Sequence, residues 1–370
     1  MSTAQIEIIL IASVVAASCA LIGTFLVLRK MALMSDAISH AILLGIVVMF
    51  FLTRSRASLP MILAATATGV LTVYLVELLV QTRLVKEDAA IGLVFPALFS
   101  IGVILISRYA ANIHLDIDAV LLGELVFAPF DRLIVAGRDI GPKTLWLGLS
   151  VGVINLAFIL LFYKELKLAT FDPGLAAALG FSPVLIHYAL MTLVSVTAVS
   201  SFEAVGSILV IALMIGPPAA AYLLTDRLPV MLALGVLLAV VSAVLGYLIA
   251  YLVNGSIAGS MATMTGVIFV IVLMVAPQRG LISRWSRQRR QRAQFAAEAL
   301  LVHLSQHTGQ PEFAAECAVT HLTGHFRWSE PFAAQIVRFA RQRDWIEESD
   351  GCLRLTRAGT RVASQVMVRS

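Results

Sequence analysis

The stretch RKMALMSDAISHAILLG, residues 29–45, carries an acid and an imidazole in an apolar segment that follows a basic pair, Arg29-Lys30. Asp36 and His40 are four residues apart, so a helix would carry them on one face, one above the other. An ionisable side chain inside a membrane costs about 2.5–3.5 kcal/mol on insertion scales. If this segment crosses a membrane, its two polar groups predict a functional site.

The composition of the chain is that of a multi-pass membrane protein. It has 370 residues, of which 59% are hydrophobic and 13% are charged, whereas soluble domains average about 25% charged residues. A helix that crosses a bilayer needs about 20 mainly apolar residues. Nine stretches meet this need, or eight if a short one is re-entrant: 6–28, 31–52, 60–80, 90–107, 144–163, 183–200, 204–224, 229–252 and 260–276.

The net charge of +5 belongs to the C-terminal part of the chain. Residues 283–370 hold 13 arginines and 8 acidic residues, while residues 1–282 hold 14 basic and 14 acidic residues. An arginine cluster directly after the last span predicts that the tail is cytoplasmic. This places the chain in the cytoplasmic (inner) membrane with its N-terminus outside. Arg54 and Arg56 do not fit this orientation, because counting spans back from the tail places their loop outside, whereas basic loops are usually cytoplasmic.

The segment KELKLATFDPGLAAALGFS, residues 164–182, predicts a short helix between two spans. Asp172 is a suitable N-cap and Pro173 suits the first helical position. Gly180 is the expected terminating residue after the last helical turn. Such a helix fits a groove in another protein, or it is an ordinary connection between spans.

The segment SSFEAVGSILVIALMIGPPAAAYLLTDRL, residues 200–228, predicts a bent or broken helix at Gly206, Gly216 and Pro217-Pro218. Proline removes a hydrogen bond within the helix, and irregular backbone in a membrane must face protein or a water-filled path. This favours a translocation path. Glu203, near the outer end, is either a gate residue or a partner in a structural hydrogen bond.

From Ser283 onward the composition becomes that of a soluble, mainly helical segment. This change predicts two domains, residues 1–282 and 283–370. Helical patterns are followed by a turn signal, Asp350-Gly351, between short strand-like runs, and by a final helix from Arg357 to Met367. This α+β arrangement resembles a winged helix of the metalloregulator or MarR type. A docking or regulatory role is preferred over nucleic-acid binding. The three cysteines, with no CxxC spacing, are predicted to be small buried side chains and indicate no disulfide framework.

Three segments in order resemble the membrane permease subunit of ABC importers for zinc, manganese and iron: LRKMALMSDAISHAILLG, FDPGLAAALGFS and SFEAVGSILVIALMIGPPAAAYLLTDRL. Many relatives have Leu-Pro-Gly after the histidine, where this chain has Leu43-Leu44-Gly45. The resemblance covers about residues 5–280. It implies an all-α, type II ABC importer-like membrane fold, and a tail that only some members carry.

The same resemblance implies partners and roles. A second permease subunit, identical or not, two cytoplasmic ABC ATPases and an extracytoplasmic metal-binding protein complete the transporter. Asp36 and His40 match the family's metal-contacting pair. The helix around 172–180 matches the coupling helix that sits on the ATPase, with these residues: Asp172, Pro173, Gly174, Ala177, Leu179 and Gly180.

The chemistry of the pair suits this role. A carboxylate and a neutral imidazole suit Mn²⁺, Fe²⁺ or Zn²⁺, and two ligands hold an ion weakly enough to release it. The alternative is that the two groups only pair with each other or with Ser35 and Ser39. No GxxxxGK[ST] segment is present, so the chain is predicted to be no enzyme and to hold no permanent cofactor. A membrane-anchored regulator that binds nucleic acid and a proton-driven secondary transporter stay open as alternatives.

Overall fold

The computed structural model describes the chain except for residues 1–2, 54–57, 110–122, 124, 136–137, 311–316, 350 and 370. Arg54 and Arg56 lie outside the described residues. The chain divides into two compact units, residues 1–276 and 277–370.

In the residues that the structure describes, the first unit is helical apart from one hairpin. Its helices are α1 Thr3–Leu28, α2 Ala32–Thr53, α3 Ser58–Gln81, α4 Glu87–Tyr109, α5 Lys143–Leu161, α6 Tyr163–Phe171, α7 Pro173–Ala178, α8 Pro183–Leu224, α9 Leu228–Val253 and α10 Ile257–Val275. Nine segments of the described chain are long and apolar enough to cross a membrane. The prediction of nine spans is confirmed.

The first helix lies at the centre of this unit. It packs against α5, α8 and α9, and side chains such as Ile11, Ile22 and Phe25 are fully buried. Polar groups join the helices here: Asn155 donates to the Thr197 hydroxyl at 2.8 Å and to the Ser18 carbonyl at 3.3 Å. Hydrogen bonds of this kind between helices help hold membrane bundles together, where lipid gives no hydrophobic drive.

One helix, α8, is twice the length that a membrane needs. Its 42 residues would span about 63 Å if straight, against a hydrocarbon core of about 30 Å. The backbone leaves the helical region at Gly206, with φ 75° and ψ 165°. Gly123 packs so closely on this point that an added Cβ would lie 2.4 Å from the Gly206 nitrogen. The break lies close to the boundary between two candidate spans, Pro183–Phe202 and Ala204–Leu224.

The helix does not break at its prolines. It continues through Pro217-Pro218, although Pro218 has no N–H to donate to the Met214 carbonyl four residues earlier. Gly23 of α1 approaches that carbonyl, and a Cβ on Gly23 would lie 1.9 Å from the Met214 oxygen. Helix α1 therefore packs directly on the carbonyl that Pro218 leaves without its helical partner.

A hairpin that the sequence did not suggest lies before α5. Strands β1 Arg132–Val135 and β2 Arg138–Pro142 pair antiparallel. Arg132 forms ion pairs at 2.8 Å with Glu7 of α1 and with Asp139. The Gly141 amide and the Arg132 guanidinium both hold the pKa of Asp139 below its usual range. These contacts fix the hairpin to the start of α1.

The second unit combines helices with another hairpin: α11 Leu281–His307, α12 Val319–His325, α13 Glu330–Gln342, β3 Ile346–Ser349, β4 Cys352–Leu355 and α14 Arg357–Arg369. The predicted hairpin is confirmed, with β3 and β4 antiparallel and Gly351 at φ 76°. Leu300, Leu304, Ile336 and Leu353 are among the buried side chains of its separate core.

The cysteine prediction was wrong in part. Cys19 is a buried side chain as expected, but Cys317 and Cys352 are joined by a disulfide, with Cα atoms 4.9 Å apart. The segment at Cys317 runs beside β4, and the Leu353 amide donates to the Cys317 carbonyl at 2.9 Å. The disulfide joins residues 35 positions apart, which no local sequence pattern indicates.

Candidate functional site

Asp36 and His40 lie on one face of α2, as their spacing predicts. The Asp36 Oδ1 and His40 Nε2 atoms are 3.3 Å apart, and the two side chains are 39% and 33% exposed. On the opposite face, Met34, Ala37 and Ile38 are fully buried. The pair is therefore held by a packed helix while its own polar atoms stay accessible in this protomer.

The surroundings of the pair are aromatic on one side. The His40 ring lies 5.7 Å from the Phe95 ring and 6.1 Å from the Phe99 ring, measured between centroids. Both phenylalanines belong to α4. Their contact limits the positions of the imidazole without supplying a polar partner.

Ser35 and Ser39 do not serve as partners for the pair in the contacts that the structure gives. The Ser35 hydroxyl donates to the Ala32 carbonyl at 2.9 Å, and the Ser39 hydroxyl donates to the Ser35 carbonyl at 2.8 Å. Both serines thus bond to the backbone of their own helix, a usual way to satisfy a hydroxyl inside a helix. Asp36 and His40 pair only with each other among these four residues.

The depth of the pair follows from the start of α2 at Ala32. A helix rises about 1.5 Å per residue, so Asp36 lies about 6 Å and His40 about 12 Å from that end. Helix α2 continues without interruption through Leu43-Leu44-Gly45 to Thr53. The pair occupies the first half of the span.

A second acid–imidazole pair, which the sequence did not reveal, joins α3 to α8. Glu77 Oε1 lies 2.7 Å from His187 Nε2, and the Tyr188 hydroxyl donates to the other Glu77 oxygen. No spacing pattern signals the contact, because the two residues belong to different helices.

Arg29 connects this second pair to the segment that leads into α7. Its Nη1 lies 3.4 Å from His187 Nδ1, and its Nε donates to the Thr170 hydroxyl of α6 at 3.1 Å. Burial lowers the pKa of Arg29. Three stretches of chain therefore meet at this guanidinium: the end of α1, the end of α6 and the start of α8.

Helix α7 has the caps that the sequence predicts. Asp172 Oδ1 accepts from the Leu175 amide at 2.9 Å. At the other end, the Gly180 amide donates to Ala177 and the Phe181 amide to Ala176, each at 3.0 Å, with Gly180 at φ 88°. These are the two bonds of a Schellman motif.

Most of α7 faces outward. Ala176 is fully buried, whereas Leu175 and Leu179 are 46% and 59% exposed. Residues 172–174, 177, 178 and 180 are exposed as well. A short, fully capped helix with one buried residue and exposed leucines is suited to docking against another surface.

Glu203 belongs to the backbone of α8, three residues before the break, and its side chain lies outside the described residues. Over the part of the chain that the structure describes, no group of three or more His, Cys, Asp or Glu side chains is arranged to hold a metal ion. Asp36 and His40 thus offer two ligands from one protomer.

Comparison with known proteins identifies the fold and the family. Residues 2–276 match the ABC 3 transport family. A membrane chain of PsaBC from Streptococcus pneumoniae, solved with a Fab, superposes with a TM-score of 0.64 at 28% identity, covering 78% of this chain and 96% of that one. The membrane unit therefore has the fold of a type II importer.

Two relatives named for metal transport are more similar in sequence. The zinc transport system membrane protein TroD of Treponema pallidum is 49% identical over 96% of this chain and 97% of its own length. The manganese transport system membrane protein MntD of Bacillus subtilis is 52% identical over 73% of this chain and 91% of its own length. The chain belongs to the ABC 3 transport family, as the membrane-spanning permease subunit of an ABC transporter.

Proposed function

We propose that this permease carries Mn²⁺, Fe²⁺ or Zn²⁺ into the cell, and that Asp36 and His40 contact the ion in passing. The observation that carries the proposal is the pair itself. A carboxylate and an imidazole lie 3.3 Å apart on one face of a membrane helix, and the side chains of Asp36 and His40 are 39% and 33% exposed. Ionisable groups at such a position mark ion pathways far more often than lipid-facing surface.

The ligand types favour a first-row transition metal. Carboxylate oxygen suits Mn²⁺ and imidazole suits Fe²⁺ and Zn²⁺. The names of TroD and MntD, which refer to zinc and manganese, support the same range. Two ligands from one protomer are too few for tight binding. A second permease subunit, identical or not, that presents a matching pair would complete the coordination sphere.

Energy for transport comes from partners. Helix α7 docks on a cytoplasmic ABC ATPase, one for each permease subunit, and an extracytoplasmic metal-binding protein delivers the ion. The exposed Leu175 and Leu179 support α7 as the docking element, the coupling helix of the transporter. The arginine-rich start of α11 supports a cytoplasmic location for everything after α10, and hence an inner-membrane protein with its N-terminus outside. Glu203 is proposed as a gate residue near the outer end.

The unit at 277–370 is proposed to be winged-helix-like and to regulate the transporter. Its order of helices, hairpin and final helix supports this, and the TroD match extends over nearly all of it. A reducing cytoplasm would reduce the Cys317–Cys352 disulfide and leave the two residues as adjacent thiols. No nucleic-acid partner is proposed for it.

The experiment is metal uptake by the complete transporter in membrane vesicles, with Mn²⁺, Fe²⁺ and Zn²⁺ in competition. We expect ATP-dependent uptake of at least one ion, and its loss in Asp36→Ala and in His40→Ala. Ser35→Ala is the matched control on the same helix, since the Ser35 hydroxyl bonds only to backbone. Normal uptake by both pair variants would refute the site, and uptake without the ATPase would refute the mechanism.

A further inference from the structure

Four of the seven histidines of the chain gather at one place in the second unit. His303 and His307 end α11, and His321 and His325 lie on α12. Each pair has the spacing H-x-x-x-H, which puts both rings on one face of a helix. The two pairs face each other across the two helices.

The distances between the rings are short. The His303 ring centroid lies 4.7 Å from that of His307, 4.6 Å from that of His325 and 6.1 Å from that of His321. The His321 and His325 centroids are 5.4 Å apart. The His303 ring therefore lies next to each of the other three rings, and His321 and His325 also lie next to each other.

These distances match those of imidazoles that share a metal ion. A metal about 2.0–2.1 Å from each nitrogen places ring centroids about 3.2 Å from the ion, and thus about 5 Å apart in a tetrahedral site. The side chains do not point their nitrogens at a common centre as they stand. Binding an ion therefore requires these side chains to turn about their torsions so that the nitrogens face one point.

The surroundings resemble those of a built site. His303 is 6% exposed, and Phe326 packs against both His303 and His325, with centroids 5.3 Å and 5.0 Å away. His307 Nδ1 is buried without a hydrogen-bond partner in the described part of the chain. Such a buried, unsatisfied nitrogen in a native protein calls for an explanation, and an ion is one.

We propose that His303, His307, His321 and His325 bind one divalent transition-metal ion, separate from the Asp36–His40 pair. Four imidazoles without carboxylate suit Zn²⁺ and its neighbours Co²⁺, Ni²⁺ and Cu²⁺ better than Mn²⁺. The ion joins the C-terminal end of α11 to α12. This places a second metal site in the unit that follows the membrane spans.

The test uses the full chain in detergent, purified without a histidine tag, in the Asp36→Ala/His40→Ala background. This background removes the membrane pair, so the result does not depend on the proposed transport role. We expect one Zn²⁺ per chain by calorimetry, and a coloured tetrahedral complex with Co²⁺ as the probe. His307→Gln together with His325→Gln should weaken binding by at least the 10–100-fold seen when mere outer-shell partners of a metal are removed.

Gln306→Ala is the matched control, an exposed residue beside His307 on the same helix. A second measurement needs no cluster variant: Zn²⁺ should protect the three less buried histidines, His307, His321 and His325, together from diethyl pyrocarbonate, read out by mass spectrometry. Equal Zn²⁺ binding by the double variant and the control would overturn the proposal. So would a chain that binds no Zn²⁺ and shows no protection, because the imidazoles would then only pack against one another.

Discussion

Two acid–imidazole pairs in the membrane unit are built from the same chemistry and arranged in opposite ways. Asp36 and His40 sit on one helix, 3.3 Å apart, with 39% and 33% of their side chains exposed. Glu77 and His187 come from two helices, 2.7 Å apart, with 29% and 13% exposed. Tyr188 occupies the second oxygen of Glu77, and Arg29 lies on the other nitrogen of His187.

The difference in accessibility distinguishes a pair suited to contact an ion from a pair suited to hold helices together. The first pair leaves polar atoms accessible, so an ion can exchange water for protein ligands there and move on. The second pair has its atoms occupied by neighbouring side chains, and through Arg29 it reaches α6, next to the proposed docking helix α7. We infer that the open pair meets the ion, whereas the closed network holds helices together and links them to α7.

The largest effect is expected at the open pair. Asp36→Asn keeps the shape but removes the charge, so metal uptake should fall by at least about 10–100-fold, the cost of losing even an outer-shell partner. The free energy of unfolding should change by less than about 0.5 kcal/mol, because the Asp36 side chain is partly exposed and makes one contact. Isotope uptake and a melting curve on the same preparation check both. A marked loss of stability with normal uptake would reverse the assignment.

The closed pair should respond in the opposite way. Glu77→Gln removes the charge that faces His187, and the free energy of unfolding should drop by about 1–3 kcal/mol, as for a buried group that loses its partner. Binding of Mn²⁺ at Asp36 and His40 should stay at the wild-type level. Tyr188→Phe is the graded control, removing one hydrogen bond worth about 0.5–1.5 kcal/mol. Loss of metal binding without loss of stability would show that Glu77 is itself a ligand.

The N-cap of α7 tests whether the proposed docking helix needs its helical shape to bind the ATPase. Asp172→Ala removes an N-cap, which should cost about 0.5–2 kcal/mol and weaken ATPase binding, measured by co-purification. Asp172→Asn keeps the cap and should bind normally. If both variants lose the ATPase, the charge of Asp172 matters more than its cap.

The smallest effect is expected at the hydrogen bond between Arg29 and Thr170, which links the Glu77–His187 network to α6. Thr170→Val keeps the shape but removes the oxygen that accepts from Arg29 Nε, at a cost of about 0.5–1.5 kcal/mol. The complex should still assemble and hydrolyse ATP, but with more ATP consumed per ion. An unchanged ratio of ATP to transported metal would mean that Arg29 carries no coupling.

The same contrast explains how much the sequence predicts. Asp36 with His40, and Asp172 with Gly180, are local: a fixed helical period or a cap rule relates residues a few positions apart. Nine spans also follow from runs of apolar residues. The Glu77–His187 contact joins residues 110 positions apart in sequence, and only the packing of α3 on α8 creates it.

Other features fall between these cases. The break in α8 was expected at any of several glycines and prolines, and it lies at Gly206, where Gly123 packs on the backbone. The H-x-x-x-H spacings at 303–307 and 321–325 were legible in the sequence. What the sequence lacks is the packing that brings the two spacings face to face.

The self-contained capping of α7 has a consequence for how transporters diversify. Both ends are closed by residues between Asp172 and Phe181, and only Ala176 is buried against the rest of the unit. The conformation of α7 is therefore determined mainly by residues 172–181 and depends little on packing against the surrounding spans. Such a segment is portable: grafting it into a related permease should carry ATPase preference with it, so that partner choice and ion choice can evolve as separate traits of one chain.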